Sequence, residues 1–286
     1  MRSEAAFVSR LAGVALVLLL RSGVLFAEGA PPSRPGFFPK PDEVFSRAPA
    51  DPRELQLALR LAFPVSNRVL GEASVGTYWG LYRWAWPDKD ASLQVSLGGG
   101  VFALFDMVRE TRDLQVADYY ANVPIDFRTG RWSSRLLLYH VSSHLGDDYV
   151  DRTRGAVRKY ATETLKWLAA CEQGDHFRFY GGPLYIVHTL QAEPGLWALQ
   201  GGVEAFTSWR ARGHLQAYWA NDWQSWQRAR WNPQWNSQLG LRIRNGLGES
   251  QGLAVFAEYS AGRMPYGQFF LREESRWTIG GRFYLP

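Results

Sequence analysis

The chain carries one cysteine, Cys171, among 286 residues. A lone thiol closes no internal disulfide and builds no Cys-based metal site. Long apolar runs are also missing. The uninterrupted run from Leu11 to Leu20 is too short to cross a bilayer as a helix, which takes about 20 residues. Helical periodicity is absent after the first thirty residues. Excess charge is small: 32 Lys and Arg stand against 27 Asp and Glu, a formal net charge of +5. The basic residues are spread along the chain and form no block that would mark a nucleic-acid footprint. A disulfide scaffold, a bundle of membrane helices and a nucleic-acid-binding protein are thereby excluded.

What the chain has instead is alternation. Leu55, Leu57, Leu59, Leu61 and Phe63 are separated by Gln56, Ala58, Arg60 and Ala62. In a strand, successive side chains point to opposite faces, so one face is apolar and the other polar. The rhythm returns at the end of the chain, where Trp277, Ile279, Phe283 and Leu285 alternate with Arg276, Thr278, Arg282 and Tyr284. Sheets of this kind either pack against a second sheet or close with the apolar face toward lipid. Aromatic residues are abundant, with 13 Trp, 13 Tyr and 16 Phe, as expected if they form girdles at two lipid interfaces.

The reading predicts strands near 54–64, 70–84, 91–105, 114–127, 131–145, 159–171, 176–189, 196–207, 213–225, 232–245, 252–261 and 275–285. Connections 85–90, 128–131, 172–175, 208–212 and 246–251 are short. On the opposite side, 146–158 and 262–274 are the longest. Short turns at one end and long loops at the other are the asymmetry of an outer-membrane barrel. The expected fold is therefore all-β, a transmembrane antiparallel β-barrel of about 12 strands over residues 54–286. A secreted β-sandwich is the rival. The ending Gly280-Gly281-Arg282-Phe283-Tyr284-Leu285 resembles the terminal-strand pattern that barrel-assembly machinery reads during insertion.

Residues 1–27 resemble a secretory signal peptide: Arg2 and Arg10 give positive charge, the apolar run follows, and Ala27 suits cleavage. A retained anchor helix is the plain alternative. Residues 28–53 hold seven prolines and are expected to form an extended periplasmic tether outside the wall. The expected location is the bacterial outer membrane, with outer-membrane lipid as partner.

The densest polar cluster runs from Leu138 to Asp148. His140, Ser142 and His144 share the parity of Trp132, Leu136 and Leu138, whereas Arg131, Ser133 and Arg135 read as lumen. His140 and Ser142 are thus expected on the lipid-facing wall near the outer interface, where polar groups are costly without a partner or a purpose. Nucleophilic catalysis requires a Ser beside a base that a third group orients. Folding the chain about residue 152 sets His140 opposite residue 164 or so, and Glu163 lies on the outward parity there with Leu165 and Trp167. Ser142 as nucleophile, His140 as base and Glu163 as orienter form the candidate set. The plain reading is that these polar groups satisfy backbone where a strand becomes a loop. Asp147 and Asp148 offer hard oxygens suited to calcium, with simple solvation as the alternative. His188 and His214 look isolated and receive no role. Tyr180-Gly181-Gly182-Pro183 lacks the Lys and the strand-to-helix setting of a nucleotide loop, so it reads as close strand packing.

The His-x-Ser motif on a lipid-facing strand resembles the dyad of outer-membrane phospholipase A and of the outer-membrane lipid A deacylase. That resemblance implies acyl-ester hydrolysis in the outer leaflet. Ala48-Pro49-Ala50-Asp51-Pro52-Arg53, together with Leu138-Tyr139-His140 and Ser142-Ser143-His144-Leu145-Gly146-Asp147, resembles the bacterial family known as domain of unknown function 1207. That second resemblance implies an outer-membrane barrel and leaves activity open. The function expected is that of an outer-membrane β-barrel protein, with a serine-type lipid acyl-ester hydrolase as the enzyme hypothesis. The alternative is a non-catalytic barrel: a narrow pore, a receptor or an adhesion surface.

Overall fold

The computed structural model describes residues 34–40, 44–66, 68–154, 159–192, 194–208, 214–244 and 252–284. The expected signal peptide, residues 1–27, lies outside them. The described chain forms β1 (Gly36–Phe37), β2 (Leu57–Pro64), β3 (Leu70–Trp86), β4 (Ala91–Asp106), β5 (Leu114–Thr129) and β6 (Trp132–Leu145). A short helix, α1 (Asp147–Thr153), follows. Then come β7 (Tyr160–Gln173), β8 (Phe177–Thr189), β9 (Trp197–Phe206), β10 (Leu215–Trp226), β11 (Pro233–Arg244), β12 (Gly252–Arg263) and β13 (Glu273–Tyr284).

From β2 onward each strand pairs antiparallel with the next, and β13 pairs back with β2, with Ile279 opposite Leu61 and Phe283 opposite Leu57. The sheet is a closed twelve-stranded barrel. The two-residue β1 is an addition to its rim, pairing Gly36 with Arg83 and Phe37 with Tyr82. β2 covers β3 only from Leu70 to Ser74, which leaves that edge of β3 for β1.

The parity fits a membrane barrel and opposes a sandwich. On β2, Ala58, Arg60 and Ala62 are buried while Leu59, Leu61 and Phe63 are exposed. On β13, Arg276, Thr278 and Arg282 point in and Trp277, Ile279 and Phe283 point out. An apolar surface continuous around the wall would drive aggregation in water and suits lipid. Exposed aromatics gather toward both ends: Trp84, Trp86, Phe127 and Trp132 at one, Trp197, Trp223, Trp231 and Trp277 at the other. The first end has the tight connections, where Gly130 and Gly174 take positive φ values of 51° and 58°. The second has the long ones, 107–113, 146–159 and 264–272. Most of the expected turns 208–212 and 246–251 falls outside the described residues.

The proline-rich segment differs from expectation. Within its described part, residues 44–53 run inside the lumen instead of outside the wall, and 54–56 continue there to the start of β2. Val44, Phe45, Ala50, Asp51, Leu55 and Gln56 are each no more than 2% exposed. The cause is complementarity with the polar lumen. Arg135 and Arg178 lie over the Phe45 ring at 4.7 and 4.8 Å, a cation–π arrangement strengthened by dehydration. Asp51 accepts from Lys166 at 3.1 Å, Gln200 at 2.9 Å and Gln224 at 3.2 Å. Arg53 pairs with Asp118 at 3.0 Å and lies 4.2 Å from the Tyr266 ring. Tyr78 donates to Glu54 at 2.8 Å. Leu55 enters a socket of Gly76, Gly98 and Gly100, where a Cβ at any of the three would come within about 3.0 Å of its methyl groups. Proline removes donors for a ladder, but an irregular strand inside a polar lumen finds side-chain partners instead.

The loop 264–272 folds inward over the lumen at the long-loop end. Its Gly267 amide donates to Asp118 at 3.0 Å, its Gln268 amide donates to Ser143 Oγ at 3.0 Å, and Pro265 accepts from Arg53 at 3.0 Å. Cap and lumen segment meet, and the cavity between them has a volume of about 80 Å³.

Candidate functional site

β6, β7 and β8 are neighbours, and their register fixes the site. His140 lies directly opposite Glu163 on β7. Glu163 in turn lies opposite His188 on β8. All three side chains stand on the outer wall toward the long-loop end. His140 Nδ1 is 2.7 Å from Glu163 Oε1, and His188 Nδ1 is 2.5 Å from Glu163 Oε2. The side chains of His140, Glu163 and His188 are 44%, 35% and 62% exposed, so the trio sits on the surface and not in the packed lumen. With Glu163 ionised, each Nδ1–H donates to it, and Nε2 of His140 remains as an acceptor.

Ser142 follows His140 on the same face, between Tyr119 of β5 and Ala161 of β7 in the register. It is half-buried and makes no side-chain hydrogen bond among the described residues. Such bonds often tighten only when substrate arrives. Ser143, one residue on, points the other way and is 1% exposed. It donates to Asp118, accepts from the Gln268 amide, and is structural. Leu136, Leu138, Leu165, Trp167 and Tyr185 flank the trio on its mid-wall side with exposed apolar surface.

Of the sequence-predicted residues, His140, Ser142 and Glu163 share one face, and His140 and Glu163 touch. Asp147 and Asp148 are exposed in the first turn of α1, where a carboxylate complements the helix dipole. Among the described residues no group of three or more His, Cys, Asp or Glu side chains is placed to hold a metal ion. His188 is the residue the sequence reading missed. Leu184, Tyr185, Ile186 and Val187 are all apolar, so periodicity carries no sign of which way His188 faces. His214 donates its Nδ1–H to the Arg244 carbonyl at 2.9 Å and stays structural. Gly182 of the Tyr-Gly-Gly-Pro run is a close-packing position, since a Cβ there would lie 2.0 Å from the Trp167 carbonyl oxygen.

Solved structures share the architecture. Outer membrane phospholipase A from Escherichia coli, as an active-site mutant, is 12% identical over 85% of this chain and 94% of that chain, with a TM-score of 0.52. The KdgM porin is 8% identical over 81% and 99%, with a TM-score of 0.43. The translocator domain of the autotransporter NalP from Neisseria meningitidis is 10% identical over 80% and 87%, with a TM-score of 0.41. At such identities the likeness is one of fold, that of outer-membrane β-barrels. No curated protein matches the sequence. The family model described as protein of unknown function (DUF1207) matches residues 36–284, and the chain belongs to that family.

Proposed function

We propose that this protein is an outer-membrane acyl hydrolase that cleaves lipid esters at the outer leaflet, with Ser142 as nucleophile, His140 as general base and Glu163 as its orienting carboxylate. The observation that carries the reading is the 2.7 Å contact between His140 Nδ1 and Glu163 on the lipid-facing wall, with Ser142 next on that face. Ser142 Oγ attacks the ester carbonyl while His140 Nε2 takes the hydroxyl proton. The imidazolium returns that proton to the departing alcohol, leaving an acyl-serine. Water activated by the same imidazole then releases the fatty acid and restores Ser142. Glu163 holds the Nδ1–H tautomer and stabilises the imidazolium. The His-x-Ser resemblance to outer-membrane phospholipase A and the lipid A deacylase supports the same chemistry. The wall position supports a lipid substrate, which reaches the site laterally.

A filled lumen disfavours the open-pore alternative. The test is fatty-acid release by the parent protein from phospholipid and from lipid A in mixed micelles, first with calcium and then with chelator. Ser142→Ala and His140→Ala are each expected to lose about 10³-fold or more, with Glu163→Gln losing less. If the parent releases no acyl chain under any of these conditions, the hydrolase reading is wrong and a non-catalytic barrel stands.

A further inference from the structure

We infer that His188 is a positioning residue of this site: it fixes the Glu163 carboxylate so that Glu163 can hold His140, and a β-bulge in β8 puts it there. The inference rests on the hydrolase reading for its consequence in catalysis, but its geometry stands alone.

The bulge is visible in both burial and pairing. Strict alternation along β8 gives Leu184 in, Tyr185 out, Ile186 in, Val187 out and His188 in. Leu184 and Ile186 are indeed buried, at 2% and 1%, and Val187 is 59% exposed, yet the His188 side chain also points out, 62% exposed. The register explains this. Thr164 pairs with Ile186 and Glu163 pairs with His188, so Val187 is passed over. Without the extra residue, Val187 would face Glu163 and His188 would turn toward the lumen. A bulge interrupts the ladder, and a common use of one is to re-aim a side chain.

The re-aimed imidazole meets a specific need. The terminal torsion of a glutamate is soft, and one hydrogen bond to Oε1 leaves the carboxylate free to swing. A second donor on Oε2 pins both oxygens. The outward residues beside Glu163 on its own strand and its neighbours, Leu138, Leu165, Tyr185 and Val187, are apolar at their outer surface or make no bond to it. Among the described residues no other side chain donates to Oε2. Losing His188 therefore leaves half of an ionised carboxylate unpartnered in an apolar band, where it is costly, and the group will reorient toward solvent and away from His140.

The experiment compares the refolded parent with His188→Leu and His188→Asn, since an asparagine amide can place a donor near the position of Nδ1. Heat-modifiable migration first selects folded barrel. Steady-state release of acyl chain from phospholipid micelles then gives kcat and KM. Nitrogen-15 NMR of histidine-labelled protein reports the hydrogen-bonded Nδ1–H of His140. His188→Leu is expected to lower kcat about 10- to 100-fold, by analogy with the outer partners of metal-bound imidazoles, with KM within about twofold. The His140 Nδ1–H signal is expected to weaken, and His188→Asn to restore both. Unchanged kcat together with an unchanged His140 signal in folded His188→Leu would overturn the inference. If the parent proves inactive, the hydrolase reading fails by itself, and the NMR signal still decides whether His188 holds Glu163 on His140.

Discussion

Lys166, on the inner face of β7, holds its ammonium 3.1 Å from the Asp51 carboxylate on the segment that fills the lumen. Asp51 comes from a part of the chain with no regular structure, yet its side chain is only 2% exposed. The pair fastens the irregular chain to the wall at mid-lumen. Asp51→Ala is expected to cost about 3–5 kcal/mol, because it strands a buried ammonium. Asp51→Leu combined with Lys166→Met is expected to recover most of that loss. Urea titration of the refolded barrel, followed by tryptophan fluorescence, measures both. A loss in the single variant no larger than in the double would show that the pair does not anchor the segment.

Leu55 and its glycine socket form a second anchor. Leu55→Ala is expected to destabilise by about 2–5 kcal/mol through the cavity it leaves. Gly98→Ala overfills the same place, where a Cβ would lie 2.2 Å from Asn122 Oδ1 and 2.9 Å from Leu55, at a cost of about 1–3 kcal/mol. Because the two share a contact, the double variant is expected to lose less than the sum. Strict additivity in the same urea titration would contradict the socket.

The filled lumen predicts a barrel without steady conductance in planar bilayers. Replacing residues 44–54 by a Gly/Ser tract of equal length removes Phe45, Asp51, Arg53 and Glu54 together. That variant is expected to unfold at lower urea and, where folded, to pass ions. Equal midpoints and equal silence in both proteins would mean that the segment does not occlude the barrel.

The outward parity predicts where charge is forbidden. Leu239, midway along β11, is 54% exposed and its neighbour Gln238 is fully buried. Leu239→Arg is expected to cost about 2–4 kcal/mol in a bilayer, the price at the midplane of a barrel wall. A neutral outcome for folding into phospholipid vesicles would place this face in water.

Much of this was legible because period-two alternation is a local property. Leu59 and Leu61 against Arg60 and Ala62 reveal the two faces of β2 without any knowledge of its partners, and the same holds for β13. Loop lengths gave the polarity of the barrel, and folding back about residue 152 was enough to set Glu163 beside His140. The two failures have a common cause. The path of residues 44–56 depends on Lys166, Arg135, Arg178 and the glycines of β3 and β4, all remote in the chain. His188 depends on one skipped residue, and a bulge inside an apolar run such as Leu184 to Val187 leaves no trace in composition.

The lumen segment is covalently continuous with β2, and β2 forms the closing seam with β13. Gln56, the residue just before β2, is buried in the lumen, so the seating of the segment and the closing of the seam are coupled through one continuous stretch of chain. Changes at Asp51 or Leu55 should accordingly slow the appearance of the closed form, and not merely loosen it once made.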